Sequence, residues 1–416
     1  MNSLELIWII CSVATAGVIA RPFRLPEALW AVAGAALLVM LGLVPFGTAL
    51  SAVGQGSDVY LFLAGMMLLS EVARSEGLFD WVASAALRFA NGSTARLFAL
   101  VYLAGVVVTA FLSNDATAVV LTPAVYAAAK KGRAEPLPLL FACALVANAS
   151  SFVLPISNPA NLVLYGGKMP PLGQWFSSFG LASLASILVT FFVLRLAERK
   201  RLADPCATGV ERVPLLRGGW VALSGIAATA TLLLLISALD GPLGLPTCLA
   251  GAATAGIVCA IGRQSPAELL SRISWSVMPL VAGLFVLVEA LNGTGVIRVL
   301  ADVLERALGS SIPLASAGAG TLLAFACNLL NNLPAGLITS TVIGQAHPPR
   351  LAIDSLLIGV DLGPNLSITG SLATILWLTA IRREGADVGF WRFLKTGFKV
   401  MPPAVLAALS ARLLLG

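Results

Sequence analysis

Four short polar interruptions break otherwise apolar runs, and they hold the residues able to do chemistry. One apolar stretch ends at Phe111-Leu112-Ser113-Asn114-Asp115 and restarts at Ala116; another ends at Asn331-Asn332-Leu333-Pro334-Ala335-Gly336. An Asn followed by Pro early in the next helix is N-cap chemistry. A cap inside a hydrophobic run implies two half-helices meeting at a tip. Unpaired backbone N–H groups are costly in lipid, so such a tip must line a cavity. Both tips would then turn the partial positive charge of a helix N-terminus toward that cavity.

The second pair of interruptions runs Asn148-Ala149-Ser150-Ser151 to Ser157-Asn158-Pro159-Ala160-Asn161, and Asp361-Leu362-Gly363-Pro364-Asn365 to Gly370-Ser371-Leu372-Ala373-Thr374. A shift of 213 positions aligns Asn148 with Asp361, Ser157 with Gly370, Asn158 with Ser371 and Asn161 with Thr374. Amide and hydroxyl side chains both donate and accept hydrogen bonds. The candidate binding set is therefore Asn114, Asn148, Ser157, Asn158, Asn161, Asn331, Asn332, Asn365, Ser371 and Thr374. It suits a small, hydroxyl-rich, uncharged solute. No Arg or Lys stands in these stretches to clamp a dianion, which argues against citrate, succinate or phosphate. Asp115 and Asp361 lie among the polar groups, and an ionisable side chain inside a membrane is by default functional. Apolar surroundings favour the neutral carboxyl, so these two are the candidate proton carriers. The alternative for each is a permanent structural cap on a nearby amide.

The elements that must position these residues repeat. Ala64-Gly65, Glu71, Gly77 and Asn114 match Ala282-Gly283, Glu289, Gly295 and Asn332, each pair offset by 218 positions. Two copies of one unit in an apolar chain mark a secondary transporter, with its site where the copies meet. Glu71 and Glu289 lie near helix ends and read as structural or interfacial. The expected division is a first repeat over 1–196, a linker over 197–217 and a second repeat over 218–416. Within the copies, hairpins are expected near 96–129 and 313–343, and interrupted spans near 136–166 and 351–381. The segments 77–90 and 295–308 mix apolar and charged residues at helical spacing, as short interfacial helices do.

Composition sets the class. The chain is 58% hydrophobic and 11% charged over 416 residues, with mean hydropathy +0.93. Soluble domains carry roughly 25% charged residues, so the expectation is an all-α polytopic membrane protein. The runs 4–20, 28–44, 176–194 and 218–236 each approach the ~20 residues a bilayer core demands. The first has no basic flank or clear cleavage site and reads as a retained span. Five crossings per copy would turn the second copy upside down. With the linker cytoplasmic, all but five of the 26 Lys and Arg fall on the cytoplasmic side, Arg21, Arg24, Arg74, Lys130, Lys131, Arg133, Arg212, Arg263, Arg272, Arg382 and Arg383 among them. The five are Lys168, Arg298, Arg306, Arg350 and Arg412. This is the positive-inside bias, and it places both termini outside a bacterial inner membrane. The net charge of +6 is thus spread over loops and forms no nucleic-acid patch.

The tips Asn114-Asp115 and 331–336, and above all the run Val360-Asp361-Leu362-Gly363-Pro364-Asn365-Leu366-Ser367-Ile368-Thr369-Gly370-Ser371-Leu372-Ala373-Thr374, resemble the arsenical pump membrane proteins. These are arsenite/antimonite efflux carriers of the ion transporter superfamily, and the resemblance spans the whole chain. It implies ten transmembrane helices plus two re-entrant hairpins, working by alternating access. It implies a metalloid hydroxide substrate, As(OH)3 or Sb(OH)3, exported in exchange for protons. Sodium-coupled carboxylate carriers of the superfamily carry Ser-Asn-Thr at both tips, where this chain has Ser113-Asn114-Asp115 and Asn331-Asn332-Leu333. That departure leaves the coupling to Asp115 and Asp361.

No GxxxxGK[ST] loop occurs, so the chain does not hydrolyse ATP by that route. Related pumps associate with a soluble cytoplasmic ATPase, for which the linker and cytoplasmic loops would be the dock. Cys11, Cys143, Cys206, Cys248, Cys259 and Cys327 show no CxxC pair and read as inert buried thiols, although Cys327 is one turn from Asn331. His347 beside Pro348-Pro349 is a poor proton relay. No cofactor and no resident metal are expected. The competing readings are a sodium/proton antiporter or other-cargo carrier of the superfamily, and a channel filtered by the polar tips; no nucleophile–base pair suggests an enzyme.

Overall fold

The computed structural model describes residues 2–166, 169–208, 213–262 and 265–415. Lys168, Arg212 and Arg263, which entered the charge count above, lie outside the described residues. Everything described is helix or connection, with a single isolated backbone bridge between Ser93 and Pro205.

Among the described residues, and setting aside the connecting helices Phe46–Gln55 and Pro266–Ser271 and the shortest turns, nine helices are followed by nine more in the same order. The first series is α1 (Ser3–Ala20), α2 (Glu27–Met40), α3 (Ser57–Ser75), α4 (Leu78–Ala90), α5 (Thr94–Phe111), α6 (Thr122–Lys131), α7 (Pro136–Ala149), α8 (Pro159–Tyr165) and α9 (Leu172–Ala197). The second is α10 (Arg217–Ala238), α11 (Gly244–Gly262), α12 (Val277–Gly293), α13 (Val296–Ser310), α14 (Ile312–Leu330), α15 (Asn332–Ala346), α16 (Arg350–Leu362), α17 (Leu372–Arg383) and α18 (Phe390–Leu414).

Local chemistry repeats with the order. Gly77 and Gly295 start α4 and α13 at φ 69° and 84°, a left-handed conformation that suits glycine and turns the chain sharply. Ser93 and Ser311 then cap α5 and α14, their hydroxyls accepting the N–H of Arg96 and Leu314. Both α4 and α13 are amphipathic, as expected of interfacial helices.

Packing is reciprocal too. α3 lies along α11, and their counterparts α12 and α2 lie along each other; α9 packs on α18, its own counterpart. Gly65 and Gly283 explain the close approach. A Cβ on Gly65 would collide with the Thr247 carbonyl of α11, and one on Gly283 would stand 2.7 Å from the Ala31 carbonyl carbon of α2. Small residues let helix backbones meet where apolar burial cannot drive them together.

Among the described residues seven helices are long and apolar enough to cross a membrane, or nine if each of two bent pairs is one span. The interrupted spans escape a count by length because α7, α8, α16 and α17 hold 14, 7, 13 and 12 residues. Large apolar side chains such as Trp8, Val13, Leu188, Phe192, Leu235 and Ile257 face outward on α1, α9, α10 and α11. α7, by contrast, is buried over almost its whole length. Polar groups inside and an apolar rim outside suit a lipid solvent.

Candidate functional site

Both hairpin tips fold by the same device. Ser113 and Asn331, 218 positions apart, adopt φ/ψ of 130°/163° and 72°/150°, and each caps the returning helix. The Ser113 hydroxyl accepts the N–H of Ala116, and the Asn331 side-chain oxygen accepts that of Leu333. Left-handed φ is strained for residues other than glycine. Here it reverses the chain within one residue and leaves Asn114 and Asn332 as the first residues of the return. The two returns then differ. The first passes through a π-helical turn at Thr117–Leu121, whereas α15 is regular.

Asn114, Asp115 and Asn332 line one partly open pocket with Asn158, the cap of α8, walled by Leu63 and Leu372 among others. It holds about one water molecule as it stands. Asn114 Oδ1 and Asn332 Oδ1 are buried and accept no hydrogen bond, the same defect at equivalent places in both copies. Asp115 is partly open and makes no ion pair among the described residues.

The unwound segments interlock across the two series. Asn158 Nδ2 donates to Asp361 Oδ1 at 2.8 Å, while the Ser371 hydroxyl reaches Asn148 Oδ1 at 3.5 Å. These contacts are counterparts, because Asn158 corresponds to Ser371 and Asp361 to Asn148. Each helix cap thus reaches the polar residue near the end of the other series' preceding half-helix. Asn148 Nδ2 also donates to Asn365 Oδ1 at 3.0 Å, and Asn365 Nδ2 to the Leu145 carbonyl. Asp361 is fully buried and its Oδ2 has no donor. Asn114 Oδ1, Asn332 Oδ1 and Asp361 Oδ2 are thus among the buried acceptors without a partner, as are Asn161 Oδ1 and hydroxyls elsewhere such as those of Ser150 and Ser316. A buried acceptor left without a donor costs about 1–3 kcal/mol, so the free oxygens of Asn114, Asn332 and Asp361 are places where a water or a ligand O–H could add a bond.

Other expected site residues turn inward. Ser157 donates to the Ala110 carbonyl, Asn161 to the carbonyls of Ser151 and Pro155, and Thr374 forms a capping box with Ser371. None of the three lines the cavity between the tips. Asn331 faces a neighbouring crevice that reaches Glu27. Asn328, absent from the expected set, braces the second hairpin. Its oxygen accepts from the Ser367 N–H and hydroxyl at 3.0 and 2.8 Å, and its nitrogen donates to Gly363. The signal was the amide itself, one turn before the tip in an apolar helix. Glu71 pairs with Arg74 at its helix end. All six cysteines are unpaired, and Cys327 is fully buried. Among the described residues no group of three metal-binding side chains occurs.

This arrangement of two equivalent tips, two unwound segments and a polar seam between copies meets its relatives in sequence. The profile of the citrate transporter family matches residues 6–380. The chain belongs to the citrate transporter family. Within reach of that family, an arsenical pump membrane protein of Escherichia coli is 27% identical over 373 residues, covering 84% of this chain and 85% of that protein. An uncharacterised transporter of Mycobacterium tuberculosis is 26% identical over 405 residues, 93% of either chain. The crystal structure of the Alcanivorax borkumensis YdaH transporter superposes with a TM-score of 0.58 at 16% identity, covering all of this chain and 97% of that one, which shows a shared fold. The family member described here is thus a multi-pass membrane transporter, akin to the arsenical pump membrane proteins and not an enzyme.

Proposed function

We propose that the chain exports trivalent metalloid hydroxides, As(OH)3 and Sb(OH)3, in exchange for protons by alternating access between two inverted repeats, 1–196 and 218–416, joined by a cytoplasmic linker. Both termini then lie on the periplasmic side. The observation that carries this reading is the trio of unpartnered acceptors, Asn114 Oδ1, Asn332 Oδ1 and Asp361 Oδ2. A neutral trihydroxide brings three O–H donors and no net charge. Citrate would bring three carboxylates to a cavity lined by Asn and Asp, with no cation among its lining residues. The present cavity is too small for the solute, so binding requires the tips to part, as alternation between two access states demands.

Proton coupling follows from Asp361 and Asp115. Asp361 protonated can donate from Oδ2; deprotonated, it adds an acceptor for a metalloid hydroxyl. Proton and solute then compete for one oxygen, which is the requirement of an exchanger. A soluble ATPase is not needed for this cycle, although the linker offers it a docking place.

The second reading is cation exchange, favoured by the same oxygens, since Asp361 and the tip amides are also hard cation ligands. Thermal unfolding of the purified protein separates the two. Arsenite or antimonite is expected to raise Tm with concentration, as any ligand of the native state does, while sodium and citrate leave it unchanged. A rise with sodium alone would replace the metalloid reading by the cation one.

A further inference from the structure

A second buried carboxylate lies on the helix that carries Asp361. Asp354 is fully buried on α16, seven residues before Asp361 and so on the same helix face. Its Oδ1 accepts the Tyr165 hydroxyl at 3.1 Å, and its Oδ2 accepts Arg412 Nε at 2.8 Å. Arg350 Nε stands 3.7 Å from Oδ2 and also donates to Ser178 on α9. Tyr165 ends α8, seven residues after its cap Asn158, and packs against Trp175 of α9. α8 and α16 therefore run antiparallel with two rungs between them. One is Asn158–Asp361 at the transport site; the other is Tyr165–Asp354, about 10 Å away along either helix at 1.5 Å per residue.

The other copy has nothing like the second rung. Shifts of 213 carry Asp354 to Phe141 and Tyr165 to Leu378, and Phe141 packs in a buried aromatic cluster with Trp377 and Phe393. The polar rung is thus not a requirement of the fold, which closes the equivalent place with apolar side chains. It was placed on the one helix pair whose register decides whether Asn158 meets Asp361. A buried ion pair contributes little net stability against a well-packed apolar alternative, and its best-attested use is to fix register.

We propose that Asp354 and Tyr165 are positioning residues for transport, setting the register of α8 against α16 that brings Asn158 to Asp361. Arg412 and Arg350 compensate the Asp354 charge. The inference rests on the reading of Asp361 as the coupling carboxylate.

The test is a double-mutant cycle of Tyr165→Phe with Asn158→Ala, which removes a hydroxyl at one rung and an amide at the other. Arsenite uptake by everted vesicles under a pH gradient is expected to fall at least fivefold in each single variant. The double variant should be no slower than Asn158→Ala alone, because Tyr165 acts through that pair. Asp354→Asn, with its carboxamide still large enough to fill the site, should resemble Tyr165→Phe. The same cycle read by Tm on purified protein needs no substrate and is expected to be equally non-additive. Multiplying losses and additive Tm shifts would overturn the register role and leave a purely structural pair. Asp361→Asn run alongside keeps the two claims apart: wild-type uptake there sinks the coupling reading, whatever the Tm cycle shows for the register.

Discussion

In the proposed cycle the chemistry falls to Asp361, with one oxygen held by Asn158 and the other left open. Asp361→Asn keeps the shape but fixes a donor where the free oxygen stood, as in the protonated carboxyl, so net exchange should fall below detection and substrate-induced stabilisation should weaken by about tenfold. Measuring both on one preparation checks this. Asn114 and Asn332 offer equivalent free oxygens, and Asn114→Ala or Asn332→Ala should each weaken solute binding by about tenfold, near 1.4 kcal/mol for one lost hydrogen bond; titration of the Tm shift reads it. These tip residues were legible in the sequence because Asn and Pro in the middle of an apolar run have few other uses. Asn328 was harder to see. Its partners lie 35 and 39 residues away in an unwound segment, and nothing in a helical run of small apolar residues announces that pairing. Asn328→Ala strands the Ser367 N–H, while the Gly363 carbonyl keeps the Leu366 N–H and the Ser367 hydroxyl keeps Thr369, so it should cost about 1–3 kcal/mol for the one orphaned group, seen as a lowered Tm.

Helices here are placed by close approach and by caps more than by oil-like burial, since lipid is as apolar as their own side chains. The offset of 218 between Gly65 and Gly283 has its explanation in the reciprocal pairs α3·α11 and α2·α12. Gly65→Ala forces a methyl onto the Thr247 carbonyl and should lower the yield of folded protein more than Gly283→Ala, whose Cβ meets Ala31 less tightly. Size-exclusion recovery of the two variants compares them directly. The half-helices could be anticipated from their polar interruptions, but the direction of each side chain could not. Ser157, Asn161 and Thr374 sit in the same interruptions as Asn158 and Ser371, yet Asn161 and Thr374 bond carbonyls of their own loops, and Ser157 accepts the Leu154 N–H and donates to the Ala110 carbonyl of α5. Spacing alone does not tell a residue that closes a loop from one that faces a ligand. The ion pair of Asp354 with Arg412 was hidden for a related reason. Its members lie 58 residues apart on α16 and α18, and only packing joins them.

As a whole the molecule is two series of helices that bury their polar seam against each other and show lipid an apolar rim. Composition and the repeat made that architecture legible, as the match to the citrate transporter family and the fold shared with YdaH agree. If the linker is cytoplasmic, as proposed, a cysteine replacing Lys200 in it should react with impermeant maleimide in everted vesicles and stay protected in intact cells. Protection in the vesicles with reaction in cells would invert the topology. The proposed cycle requires the two tips to part and close again on the other side, since the pocket between them has room for about one water. Whether the chain is a metalloid–proton exchanger that needs no ATPase is decided by arsenite flux into everted vesicles with an acid lumen, no ATP and no partner subunit. Saturable uptake that collapses with the pH gradient and disappears in Asp361→Asn is the expected result. Uptake that appears only when an ATPase subunit and ATP are supplied, and ignores the gradient, would contradict it.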